Sequence, residues 1–76
     1  MRLQATIVLR SADAFYVEGL LLQNLDDYFA FELDVNVIQD GADVVVEVYS
    51  ENEEAGYETA DFLEDNGYYL VEYIIE

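Results

Sequence analysis

The chain contains no cysteine, histidine, lysine, tryptophan or proline, and its two cationic side chains, Arg2 and Arg10, both lie within the first ten residues. Each absence removes a class of chemistry. Without cysteine there are no disulfides, thiolate zinc sites or thiol nucleophiles, and no redox compartment can be inferred. Without histidine or lysine the usual general bases, imidazole ligands and Schiff-base amines are gone, leaving carboxylates, hydroxyls and phenols. The four glycines are too scattered to cradle a phosphate. Asp40-Gly41-Ala42-Asp43 and Asp61-Phe62-Leu63-Glu64-Asp65 do not match a twelve-residue EF-hand loop. The expectation is a protein that is not an enzyme and has no cofactor or dedicated metal site.

Against two cations stand 18 acids, for a formal charge of −16. Self-repulsion of that size opposes compaction and far exceeds the net charge of roughly 2–8 that keeps a small domain soluble. A chain so charged stays disordered when it is also poor in apolar residues. This one is 54% apolar, with seven Tyr, four Phe and β-branched runs such as Val44-Val45-Val46 and Ile74-Ile75. One compact domain over residues 1–76 is therefore expected, without a linker or internal repeat. Met1 to Arg10 alternates polar and apolar residues instead of forming a signal-peptide core, and no segment approaches a membrane span, so the cytoplasm is the default location.

The periodicities define six elements. Leu3, Ala5, Ile7 and Leu9 alternate with polar or outward positions and predict a strand. Ser11 suits a helix N-cap, and a helix to about Asp27 would bury Ala14, Val17, Leu21 and Leu25. Strict period two from Phe29 to Val37 predicts a second strand, with Glu32, Asp34 and Asn36 on its outer face. Asp40-Gly41 predicts a hairpin turn into a third strand, with Val44, Val46 and Val48 inward. Ser50 and Glu53 fit a capping box opening a helix that extends to Asn66 and stops at Gly67. Tyr68 to Glu76 reads as a last strand with Tyr69, Val71, Tyr73 and Ile75 inward. Short connections and right-handed crossovers then lead to an α+β fold, the ferredoxin-like β-α-β-β-α-β plait. Its four-stranded antiparallel sheet would carry two helices on one face and leave Glu32, Asp34, Glu47 and Glu72 on the other.

Direct nucleic-acid binding does not suit such a surface, because phosphates would be repelled. The charge calls for a cationic partner. Glu54, Glu58, Asp61 and Asp65 recur at spacings of four, three and four, a continuous helical stripe with Glu53 and Glu64 at its edge. No cation in the helix relieves the repulsion. Carboxylates four apart on a helix lie about 6 Å from each other, and those two apart on a strand, such as Glu32 and Asp34, about 6.6 Å. Those steps are similar to phosphate spacing along a nucleic-acid strand, so Glu53, Glu54, Glu58, Asp61, Glu64, Asp65, Glu32, Asp34 and Glu47 are the candidate partner-binding residues. Tyr57, Tyr68, Phe15 and Leu22 are candidates for apolar contacts beside them.

In size, element order, acidic second helix from Glu53 to Asp65 and near absence of cations, the chain resembles the small acidic DNA-mimic inhibitors encoded by phages. Among these it is most similar to the anti-CRISPR proteins, and a type I-C inhibitor is the suspected kind. The resemblance covers the whole chain and carries no sequence motif. It implies a protein of the infected bacterial cytoplasm that binds a Cascade subunit or another basic DNA-binding protein and keeps target DNA from docking. Two other readings use the same charges: an acidic adaptor or immunity-type protein that does not copy DNA, and a halophile's surface-adapted domain. A monomer is the expected state, with edge-strand pairing as the route to a dimer.

Overall fold

Ala5, Ile7 and Leu9 are completely buried, as are Val44, Val46 and Val48, and the two strands that carry them pair at the centre of the molecule. The computed structural model describes all 76 residues as β1 (Arg2–Arg10), α1 (Ala14–Asn24), β2 (Leu33–Asp40), β3 (Asp43–Ser50), α2 (Ala55–Asp65) and β4 (Tyr69–Ile75). All pairings are antiparallel and the strand order is β2-β3-β1-β4, the ferredoxin-like α+β plait. Val17 and Leu21 of α1, Phe62 and Leu63 of α2 and the inward residues of the strands form one core between the helices and one sheet face.

Two bulges change which side chains reach that core. Register slips between Leu3 and Ala5, so Leu3 lies opposite Tyr49 on the open face. Gln4 is buried at the slip, and its amide donates to the Ser50 carbonyl at 2.7 Å. A second slip separates the Leu9–Leu70 and Val8–Glu72 pairs. It places Leu70, not Tyr69, opposite the buried Leu9, while Tyr73 and Ile75 keep the core side. Tyr69 and Val71 therefore leave the inward set expected of the last strand. Tyr69 instead lies beneath the Arg10 guanidinium, 5.1 Å from the ring centre.

Element ends also differ from the sequence expectation. α1 begins later than Ser11, which adopts φ 51° in the preceding turn. Asp13 is the N-cap, accepting from the Phe15 N–H at 2.9 Å, and the helix ends at Asn24, short of Asp27. β2 starts at Leu33, so Phe29, Phe31 and Glu32 precede it in irregular backbone. The hairpin turn is Gly41-Ala42, with φ 62° at Gly41 and Asp40 already paired to Asp43. Ser50 closes β3 and forms no capping box. Its hydroxyl donates to the Glu32 carbonyl at 2.7 Å and accepts from the Asn52 N–H at 3.0 Å, and α2 opens at Ala55. The far end of α2 stops as expected: Gly67 takes φ 91°, the Gly67 N–H donates to Glu64 and the Tyr68 N–H to Leu63.

Gly56 sets how closely α2 approaches the sheet. A Cβ there would lie 2.7 Å from the Ala5 Cβ and 3.1 Å from the Tyr73 hydroxyl. Neither helix nor strand can yield without repacking, which typically costs about 1–3 kcal/mol and outweighs the helix preference for alanine of about 1 kcal/mol. Gly56→Ala is expected to lower the melting temperature by several degrees, about 4–8 °C per net kcal/mol. A melt unchanged or raised in Gly56→Ala would refute this close contact.

Candidate acidic interaction surface

The residues of α2 divide sharply. Ala55, Gly56, Thr59, Ala60, Phe62 and Leu63 are buried against the sheet and α1 side, and the exposed positions from Glu53 to Asp65 are acidic except for Tyr57. Glu54, Asp61 and Asp65 share the outer line of the helix with the half-buried Glu58, and Glu53 and Glu64 flank it. Glu58, Asp61, Glu64 and Asp65 stand in the helix itself, whereas Glu54 is its N-cap and Glu53 lies in the turn before it. Glu53 and Glu54 sit at the N-terminal end, where the helix dipole favours anions. Glu64 and Asp65 sit at the opposite end, where it opposes them, and no basic residue is present in the last turn.

The acids proposed from the strands do not form one group with this stripe. Asp34 and Glu47 lie on the open face of the sheet, the side away from both helices. Glu47 accepts from the Asn36 side-chain amide at 2.8 Å, and Asp34 accepts from the Val35 N–H at 2.9 Å. Glu32 lies outside the strand. It lines an open groove of about 470 Å³ with Leu25, Asp26, Phe29, Ala30, Phe31 and Leu33. The i,i+2 strand geometry expected for Glu32 and Asp34 is absent. Glu72 does reach the open face, paired with Val8, and the centre of that face is apolar, built from Val8, Val45, Ile38 and Ile74.

Almost none of this charge is neutralised within the molecule. One ion pair is present, between the amino terminus and Glu51 at 3.2 Å, and neither arginine joins it. The α2 carboxylates accept no hydrogen bond, whereas Asp13 and Asp43 are used locally, as a cap and as the acceptor for the Ser11 N–H at 3.2 Å. No three acids converge closely enough to hold a metal ion. Eighteen carboxylates are instead dispersed over a body of 30 × 24 × 18 Å. Beside them, burial, then the Tyr57 phenol and the Asp61 carboxylate, push the Tyr73 phenol above its ordinary value. Tyr57 packs edge-on against Tyr73 with ring centres 5.7 Å apart, so it is an exposed aromatic held in place among the acids. Tyr68 is half-buried against the core, and Phe15 and Leu22 project from α1 instead.

One polar residue of consequence gave no signal in the sequence. The Gln39 Oε1 accepts from the Ala14 N–H at 2.8 Å, and its Nε2 lies 3.1, 2.9 and 3.0 Å from the carbonyls of Ala12, Gly41 and Asp43. It ties the start of α1 to the β2–β3 hairpin. An isolated glutamine in a strand has no spacing rule that would reveal such a role.

No family model matches the chain, and comparison with curated proteins and with solved structures found no match. No helix is long and apolar enough to cross a membrane.

Proposed function

We propose that this protein is a non-enzymatic inhibitor that places an acidic, DNA-like surface in a Lys/Arg-lined DNA-binding site. The partner on this reading is a Cascade complex of a CRISPR system, blocked from target DNA and its adjacent recognition motif in the manner of an anti-CRISPR protein. The observation that carries the reading is the dispersal of unneutralised carboxylates along the molecule. A duplex of the same 30 Å length as its long axis carries roughly 18 phosphates, at about one charge per 1.7 Å. The net charge of −16 is similar in amount and is spread over comparable length. Acids on both the helix side and the open sheet face suit a channel that surrounds its ligand, as DNA channels do, better than a flat patch. Association would be electrostatically steered and would weaken steeply with salt.

The test is capture of partners from bacterial lysate at low salt, with elution by a salt step and a parallel capture in excess duplex DNA. A DNA-binding complex that is retained, and lost when duplex is added, is the expected result. Retention of a basic protein unaffected by DNA would replace mimicry with the adaptor reading, for which the apolar centre of the open sheet face provides a contact surface. A protein that captures no partner and loses its fold at low salt would point to halophile adaptation.

A further inference from the structure

The sheet ends in two edges, β2 on one side and β4 on the other, and they are finished differently. Asp40 and Asp43 pair across a two-residue turn, which fixes the backbone groups facing each neighbour, because bonded and non-bonded pairs alternate along an antiparallel ladder. Counted from there through β3 and β1, the bonded pairs with β4 are Val8–Glu72 and Thr6–Ile74. The Glu76 N–H, which donates to the Gln4 carbonyl at 3.0 Å, continues that alternation. The N–H and C=O groups of Tyr73 and Ile75 therefore point away from the sheet, as those of Val35 do on β2. On β2 the Asp34 carboxylate accepts from the Val35 N–H at 2.9 Å, and the strand carries Asp34, Asn36, Gln39 and Asp40, so that edge is blunted. On β4 no side chain closes Tyr73 or Ile75, and Glu72 is the one charged residue from Tyr69 to Ile75. The bulge at Val71 bends the start of the strand and leaves Glu72 to Glu76 as its regular stretch.

Backbone and charge together identify the occupant. Free N–H and C=O groups along an extended edge are matched by another extended backbone, added as a fifth strand. Acids face that position from both sides of the sheet. On the helix side Asp61 lies near enough to the Tyr73 phenol to raise its pKa; Glu72 stands on the open face, and Glu76 follows at the end of the strand. None of the three is in an ion pair, and Arg10 lies over Tyr69 at the opposite end of β4. A second copy would bring like charge to the same place, in a molecule of net charge −16. We infer that the β4 edge from Glu72 to Glu76 is a strand-addition site for a cationic extended segment of a partner protein, its Lys and Arg side chains reaching Asp61 on one face and Glu72 on the other. Main-chain pairing gives the affinity, and the flanking acids with Tyr57 and Ile74 between them select the sequence. The site is independent of DNA likeness, since a short peptide suffices to occupy it.

Amide hydrogen exchange, read by NMR on the isotopically labelled full chain in about 0.05 M NaCl, tests the inference with the peptide acetyl-Lys-Val-Lys-Lys-Val-Lys-amide as probe. In the free protein the Tyr73 and Ile75 amides should exchange much faster than those of Glu72 and Ile74. At a peptide concentration about ten times the Kd, both should slow about tenfold. The same peptide N-methylated at every residue keeps its charge but has no N–H along its backbone, and should bind about tenfold more weakly or worse. A counterpart with Glu in place of each Lys should not bind. Ile75→Pro removes an outward N–H at a side chain 56% exposed, where an edge strand tolerates proline, and should weaken the peptide by a similar factor with the fold intact. A peptide that binds without slowing Tyr73 and Ile75, or that binds equally well when N-methylated, would overturn the inference and move the cationic contact to α2. Slowing of these two amides with rising protein concentration alone would overturn it in favour of a second copy. The N-methyl comparison uses the unaltered protein, so it decides the matter even where Ile75→Pro does not fold.

Discussion

Phe62→Ala is expected to leave the chain largely unfolded at physiological temperature. Phe62 is 5% exposed and its ring centre lies 4.7 Å from that of Tyr28 and 5.7 Å from that of Phe29, which in turn approaches Phe31 at 6.4 Å. Truncating a buried phenylalanine typically removes about 3–5 kcal/mol. A domain of this length has roughly 4–11 kcal/mol of stability in all, before the self-repulsion of its charge is counted. The loss also propagates: the segment from Tyr28 to Phe31 has no strand pairing of its own and is held by this aromatic cluster. Thermal melting followed by far-ultraviolet circular dichroism measures the effect, with Phe15→Ala as the matched control, since Phe15 is 80% exposed. If Phe62→Ala melts within a few degrees of the parent while Phe15→Ala does not, the assignment of core and surface aromatics is wrong.

The same cluster explains where the sequence is legible and where it is not. β3, and β1 from Ala5 onward, could be read from alternation because both lie in the middle of the sheet, and over those residues the inward positions face the core without interruption. The alternation of Phe29, Phe31 and Leu33 has a mixed origin: Leu33 belongs to a strand, whereas Phe29 is buried by contact with Phe62, more than thirty residues away. Periodicity is local and cannot distinguish the two. Ser50 and Glu53 have the spacing of a capping box, but the serine hydroxyl is oriented by donating to the Glu32 carbonyl and accepts from the Asn52 N–H instead of the Glu53 N–H, and the helix opens only at Ala55. The bulges at Gln4 and Val71 shift register by one residue and so reverse which side chains face inward. For the candidate site, the α2 stripe was readable because a helix maintains its phase through the three turns of α2. The separation of Glu32 from Asp34 was not, since it depends on where β2 begins.

Neutralising the stripe, with Glu54→Gln, Glu58→Gln, Asp61→Asn and Asp65→Asn together, is expected to strengthen the fold and weaken partner binding on the order of 100-fold at low salt. Three consecutive like-charge pairs run through these positions, each unfavourable by about 0.2–0.5 kcal/mol, and Asp65 adds an anion at the negative end of the helix dipole. Removing them should raise the melting temperature by a few degrees at low ionic strength, since the loss of Glu54 and Glu58 from the favourable end of the dipole offsets part of the gain, and the gain fades as salt screens the parent's repulsion. The amide side chains preserve shape, so lost binding reports lost charge. The variant should also show a shallower dependence of affinity on salt, because fewer counterions are released when it docks. A parallel variant, Asp34→Asn with Glu47→Gln, distinguishes the faces, since both residues lie on the opposite side of the molecule and already make intramolecular hydrogen bonds. Stability and binding that move in opposite directions in the α2 variant alone would mean that the stripe is maintained against the interest of the fold for a partner's sake. Binding lost only in the sheet variant would place the interface on the open face, with Val8, Val45, Ile38 and Ile74 at its centre and the α2 charge as long-range steering.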